Sequence, residues 1–281
     1  MYIKTRTIRL YPNSHMKKEL DRLCDYRRYC WNLGLETWNE MYELHLLDKD
    51  NNPSPNKRVV TNKLVEQKQD WQYTLSSRVL QQSIEDLGNA WKHFFRKDQK
   101  DWGKPKFKSK RCSRQGFKSD RIKFIKGKLR LDKAHGNKCL WYDIRIKGNL
   151  LDYDYGTVSI YKVNNKYYAS IPYKVEDIPN KPKTNKNTAV DVNVGHLNYT
   201  EGIVNVLPKK LTKLYDRIKH YQKMLARKKS KSNNYIGVRT KLQRDYTKVT
   251  NLQHDIIHKF TTKLVSNYDN IVIEDLDVKH M

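Results

Sequence analysis

The sequence predicts a multidomain α+β protein, on three observations. Apolar residues recur at three- and four-residue intervals across residues 14–102, the period of helices packed on one face. At Trp102-Gly103 that period gives way to short β-branched and aromatic runs separated by turn residues. Beyond residue 187 an apolar strand, a shorter strand, two long helices and a last strand follow in turn.

The elements read as follows. Residues 2–10 alternate as a strand, and Pro12-Asn13 ends it. Ser14 is positioned to cap a helix carrying Leu20, Leu23, Cys24, Trp31, Leu35, Trp38 and Met41 on one face, to about Leu47. Residues 48–55 form a polar loop. A second helical block places Leu80, Ile84, Leu87, Trp91, Phe94 and Phe95 together, with Ser76-Ser77 as its cap. Between Gly103 and Lys133 there are thirteen Lys/Arg and two acids, interleaved with Phe107, Phe117 and Phe124. Cations mixed with rings suit a groove that tracks phosphates and stacks bases. Strands are expected at 128–131, 144–146, 157–161 and 167–171, the last two joined by an Asn164-Asn165 hairpin turn; with the first strand they could close a small barrel. A Pro/Lys/Asn-rich linker, 176–187, leads to the last part. There Pro208 introduces helices over about 209–229 and 235–266, joined by Ser230 to Asn234, before the strand Ile271-Val272-Ile273.

Charge narrows the function class. With 57 Lys+Arg against 30 Asp+Glu the formal charge is +27, which calls for a polyanionic partner. Nucleic acid fits best. A membrane surface fits less well, because no apolar run approaches a spanning length and the first residues lack a signal-peptide core. A cytoplasmic, nucleoid-associated protein of a bacterium is expected. Cys24, Cys30, Cys112 and Cys139 are widely spaced, so they read as reduced, packed thiols rather than a zinc site or disulfide framework. The helical pair His254 and His258 resembles a zinc helix, but aspartate stands where the general base would be and no third ligand is evident, so it reads as structural. Trp31, Trp38 and Trp91 read as core.

The run Thr188 to Asn198 is a β-branched apolar stretch broken at Gly195, and reads as a buried central strand. Strands of this kind open the ribonuclease-H-like fold, where a carboxylate two residues before the glycine binds catalytic magnesium. Asn193 occupies that position. Together with Arg28-Tyr29-Cys30-Trp31-Asn32, Val79-Leu80-Gln81-Gln82, Phe94-Phe95, the Gly103 to Lys110 segment and Ile271 to Leu276, all in order, the chain resembles the TnpB family of transposon-encoded RNA-guided DNA nucleases, relatives of the type V CRISPR effectors.

The resemblance implies a small wedge-like (OB-like) β-barrel domain over 1–13 and 103–180, an inserted helical recognition domain over 14–102, and an incomplete RuvC or ribonuclease-H-like α/β domain with a long helical hairpin over 181–281. In the family three carboxylates hold two metals. Here the first falls on Asn193, the second on Glu274, and the third would lie beyond Met281. Asp191, about 6–7 Å along the strand by residue rise, is too far to take the place of Asn193. An inactive nuclease site that holds no metal and needs no cofactor is therefore expected, and the chain resembles the nuclease-dead TnpB derivatives called TldR.

That resemblance implies a transcriptional repressor which binds a non-coding guide RNA and occupies a double-stranded DNA target beside a short adjacent motif, with no membrane or small-molecule substrate. Ser77 and Gln81 would face the adjacent motif, with Thr61 and Ser119 as lesser contacts; glutamine can pair bidentately with adenine. Lys104, Lys106, Lys108, Lys110, Arg111, Arg114 and Lys118, with Arg227, Lys228 and Lys229, would hold RNA or heteroduplex phosphates. Two alternatives remain open. One is a residual metal-dependent nuclease using Asp191 and Glu274, and the other is a guide-free nucleic-acid-binding remnant of a transposon protein.

Overall fold

The computed structural model of the chain describes residues 2–96, 98, 102–111, 114–131, 143–147, 155–176 and 181–274. The chain divides into two compact units, residues 1–177 and 178–281. The expectations for Cys112, Cys139, Asp275 and Leu276 fall outside the described residues.

The first unit begins with β1 (Tyr2–Tyr11) and the long helix α1 (Ser14–Leu47). Asn13 caps α1, not Ser14: its side chain accepts from Met16 N at 2.9 Å while Ser14 is already helical. Asparagine is as good a cap as serine, and here it is the last extended residue. After the 48–55 loop come two short helices that the periodicity does not reveal, α2 (Lys57–Glu66) and α3 (Asp70–Tyr73), then α4 (Ser77–Phe94). Asn56 caps α2 through bonds from Arg58 N and Val59 N, and Ser76 caps α4 through Arg78 N at 3.3 Å.

α1 and α4 meet along their apolar faces. Leu20, Leu23, Cys24, Trp31, Leu35 and Trp38 of the first lie in one cluster with Val79, Leu80, Ile84, Leu87 and Trp91 of the second. Trp38 and Trp91 stack at 5.9 Å between centroids. Gly34 lets the helices approach this closely, since a Cβ there would collide with Ile84 Cδ1. Burial pushes the thiols of Cys24 and Cys30 up to about 12, so both stay protonated and unreactive.

The strands of this unit are β2 (Gln115–Ser119), β3 (Lys123–Ile125), β4 (Lys128–Arg130), β5 (Asp143–Ile146), β6 (Val158–Val163) and β7 (Lys166–Val175). With β1 they make one antiparallel sheet in the order β2-β6-β7-β1-β5-β4-β3. Asn164 and Asn165 both have positive φ, 48° and 59°, as a two-residue hairpin turn requires. The expected barrel is a sheet whose end strands, β2 and β3, do not pair with each other among the described residues. Both end strands lie inside the basic run, where the sequence shows little apolar alternation around the inward Phe117. Sheet and helices share a single core, with Ile8, Leu10, Phe117, Ile144, Ile160 and Ile171 in the same cluster as the helix faces.

The second unit contains β8 (Asn187–Asn193), β9 (His196–Tyr199), β10 (Gly202–Asn205), α5 (Lys209–Ala226), α6 (Asn233–Asn267) and β11 (Asn270–Ile273). Its sheet runs β10-β9-β8-β11, with β8 and β11 parallel and the other pairs antiparallel. Gly195, at φ +92°, makes the tight β8–β9 turn. The strand expected to be buried is central but covered on one face only. Thr188 and Val190 are buried, Val190 with Phe260 and Leu264 of α6, whereas Ala189 and Asp191 are exposed. α5 and α6 form the expected hairpin, zipped by Leu211, Leu214, Ile218 and Val249. No described helix is long and apolar enough to cross a membrane.

Replacing Gly34 by Ala tests the α1–α4 approach. Alanine gains about 1 kcal/mol of helix propensity, but overpacking against a closed core costs about 1–3 kcal/mol. A net loss is expected in urea unfolding, and a net gain would show that Ile84 moves aside freely.

Candidate nucleic-acid interface

The basic residues fall into groups with different duties. Residues 102–109 run as an extended strap along α1, held by side chains of that helix. Trp31 Nε1 donates to Lys106 O at 3.0 Å. Asn32 makes a reciprocal pair, its Nδ2 donating to Lys108 O at 3.0 Å and its Oδ1 accepting from Lys108 N at 2.8 Å. One amide thus plays the part of a neighbouring strand. The Lys108 ammonium lies 3.3 Å from the Trp31 ring centroid, and Lys104 lies 5.6 Å from that of Trp91. Trp31 is therefore both core and platform, a role that periodicity alone does not show.

Carboxylates bind the next cations. Asp25 holds Arg28 at 2.7 Å and Lys110 at 2.9 Å. Asp86, 15% exposed, holds Arg27 at 3.0 Å and also Lys118. Burial raises the Asp25 carboxyl, but hydrogen bonds from Lys110 and Arg28 outweigh it, and the group lies below the usual carboxylate range. Arg114 stacks 3.7 Å from the Tyr161 centroid, which in turn stacks on Tyr168 at 5.6 Å. Lys106 and Arg111 are exposed, with no side-chain partner among the described residues. The predicted phosphate contacts are thus a mixture: Lys108, Lys110, Lys118 and Arg114 are engaged within the fold, while Lys106 and Arg111 are free.

On α4, Ser77 and Gln81 are both exposed, and their spacing of four puts them on one face. Gln81 Oε1 accepts from Arg78 Nη1 at 2.9 Å, which orients the amide and leaves its NH2 free among the described residues. Thr61 is half-buried and donates to Lys57 O at 2.7 Å. Ser119 is buried and accepts from Arg121 N at 3.2 Å, so its hydroxyl faces inward. In the second unit Arg227 ends α5, with Lys228 and Lys229 in the connection to α6. Arg227 and Lys229 are exposed, and Lys228 is half-buried.

The open face of the second sheet carries Asp191 and Asn193. Asn193 Nδ2 donates to Asp191 Oδ2 at 2.7 Å, and Asn198 Nδ2 approaches the same oxygen at 3.4 Å. The β8–β11 register ends with Ile273 against Val190, and the exposed Glu274 follows directly after β11. Among the described residues no group of three His, Cys, Asp or Glu is arranged to hold a metal. His254 and His258 are exposed on α6, and His258 Nδ1 lies 3.1 Å from Thr262 Oγ1.

Comparison with known proteins bears on both ends of the chain. Residues 170–281 match the family model OrfB_IS605, described as "Probable transposase", and residues 1–46 match HTH_OrfB_IS605, a helix-turn-helix domain. The "Putative RNA-guided DNA endonuclease InsQ" of Escherichia coli (strain K12) is 28% identical over 97% of this chain and 66% of its own length. A "Putative RNA-guided DNA endonuclease" of Streptomyces pristinaespiralis is 28% identical over 74% of this chain and 51% of its own length. The chain thus spans between half and two thirds of these curated relatives. The cryo-EM structure of a CRISPR-Cas12f ternary complex aligns with 94% of this chain and 64% of its own, at 11% identity and a TM-score of 0.39.

These relatives correct one expectation. Asn193 and a missing third carboxylate led to the expectation of a protein without enzymatic activity, yet the chain's similarity runs to proteins named as endonucleases and to a transposase model.

Two outcomes follow from this geometry. The lowered Asp25 means that folding favours its charged form. Its contribution is complete above the ordinary carboxylate value of about 3.9 and is lost as pH falls through the lowered value. Asp25→Asn should flatten that acid limb in urea midpoints measured against pH; an unchanged limb would remove Asp25 from the account. Asn193→Asp replaces a hydrogen bond with a like-charge contact and should cost about 1 kcal/mol without metal. Manganese should restore the melting temperature of that variant more than that of the wild type, and equal manganese responses would show that the face does not gather a cation.

Proposed function

We propose, from the premise that this chain is a relative of the IS605 OrfB (TnpB-type) transposases, that it binds a guide RNA and uses it to find a DNA target. The observation that carries this reading is the similarity along 97% of the chain to a relative named as an RNA-guided DNA endonuclease. The charge of +27 supplies the attraction to phosphate that such a protein needs.

In this reading base pairing with the guide selects the target, while the protein contributes backbone contacts and a short duplex motif. The docked strap presents Lys106, the turn after it presents Arg111, and the α5–α6 connection presents Arg227, Lys228 and Lys229, to the phosphates of guide or heteroduplex. Ser77 and Gln81 on α4 read the adjacent motif, with the amide pre-oriented by Arg78. The barrel-like sheet with its helices forms the recognition half and residues 181–281 the RuvC-like half. A target overlapping a promoter is closed to transcription while it is occupied, and this repression needs only binding.

The test is to purify the chain from its host background, sequence the RNA that accompanies it, and offer the matching duplex with magnesium or manganese. A discrete RNA, and protection of the duplex that the RNA specifies, support the reading. DNA binding indifferent to ribonuclease would replace it with a guide-free function. Cutting of the protected duplex reads the nuclease activity of this chain directly. Gln81→Ala should lower affinity for the motif-bearing duplex by about 1–3 kcal/mol relative to a duplex without the motif, and equal losses on both would take Gln81 out of motif reading.

A further inference from the structure

The α5–α6 hairpin carries a feature well away from its basic tip. Between the two helices lies a groove of about 580 Å³, lined by Lys210, Lys213, Leu214 and Arg217 of α5 and by Lys248, Asn251, Leu252 and Asp255 of α6. That volume is within the range of a site for a small organic group. The lining residues recur at three- and four-residue spacing on both helices, so the groove follows their contact line rather than a chance dent.

Its chemistry is divided. The floor is apolar: Leu214 and Leu252 belong to the cluster that zips the hairpin. The rim is cationic. Arg217 and Lys248 are held at 2.9 and 3.4 Å by Asp245, which is 1% exposed. That buried carboxylate fixes two of the four rim cations in place. The one acid on the rim, Asp255, is engaged by Lys259 at 2.7 Å. Lys210 and Lys213 are exposed and have no partner among the described residues.

An occupant must therefore offer negative charge to the rim and a flat apolar surface to the floor. A duplex offers phosphates but keeps its base faces stacked inside, and it would leave the leucines uncovered. An unpaired nucleotide offers both. We infer that this groove seats a nucleotide of a single strand, with its phosphate on Lys210 and Lys213, its base over Leu214 and Leu252, and the Asn251 amide at the base edge. The inference rests on the proposed nucleic-acid function and adds a place where the strand is held unpaired.

Fluorescence anisotropy on the full chain tests it, with labelled oligo-uridine, an abasic strand of the same length and a duplex as probes, each over a salt titration. Lys210→Gln with Lys213→Gln keeps good helix formers at exposed positions, so the fold is expected to persist, with a melting curve as the check. The wild type should bind oligo-uridine more tightly than the abasic strand. The double variant should lose about ten-fold in oligo-uridine affinity, and its slope of log affinity on log salt should fall by about 1.4, the value for two phosphate contacts on a single strand. An unaltered slope in the double variant, or equal wild-type binding of oligo-uridine and abasic strand, overturns the inference while leaving the nucleic-acid function standing. Failure of the wild type to bind any probe overturns the function and the inference together.

Discussion

Surplus positive charge is the constraint on which this structure depends. With 27 more cations than carboxylates, self-repulsion opposes any compact state, and each acid must do more than neutralise one neighbour. Three of the described carboxylates meet this by serving two cations at once. Asp25 joins Arg28 to Lys110, Asp86 joins Arg27 to Lys118, and Asp245 joins Arg217 to Lys248. In the first two cases the acid lies on a helix and one of its cations lies on the strap or on β2, so the pairing ties basic segments to the apolar core. At Asp245 and Asp86, where the carboxylate is largely buried, such a pair adds little net stability, but breaking it leaves an uncompensated charge, which makes it strict about arrangement.

Aromatic rings do the same work without charge. Trp31 and Tyr161 carry cations on their faces, and Trp31 also hydrogen-bonds the strap backbone. The cations left over, such as Lys106, Arg111, Lys210, Lys213 and Lys229, are the ones offered outward. A fold that engages a specific subset of its lysines leaves a specific remainder, and that remainder forms the surface available to phosphate.

Much of this was legible in the sequence. The long apolar helices were visible because their burial is one-sided and regular, and the Asn164-Asn165 turn because few residue pairs adopt positive φ in succession. β2 and β3 were not visible, because each is short and has few inward apolar residues within a basic run. β9 was hidden by its length of four residues and by a hairpin that turns at Gly195. Of the candidate site, exposure could be guessed for Gln81 and Lys106 but not refused for Ser119, since only the β2–β6 register turns that hydroxyl inward. Asn193 and the missing third carboxylate invited an argument from absent charge. The chain's similarity runs to proteins named as endonucleases, and Asn193 is hydrogen-bonded to a neighbouring carboxylate, Asp191.

The charge surplus of +27 fits the proposed nucleic-acid partner. Thermal unfolding of the whole chain at low ionic strength, with and without oligo-uridine and across added monovalent salt, addresses it directly. The account predicts that salt alone raises the melting temperature by screening repulsion, that RNA raises it further, and that the increment from RNA shrinks as salt is added. A melting temperature that falls with salt, or that RNA does not move, would contradict it.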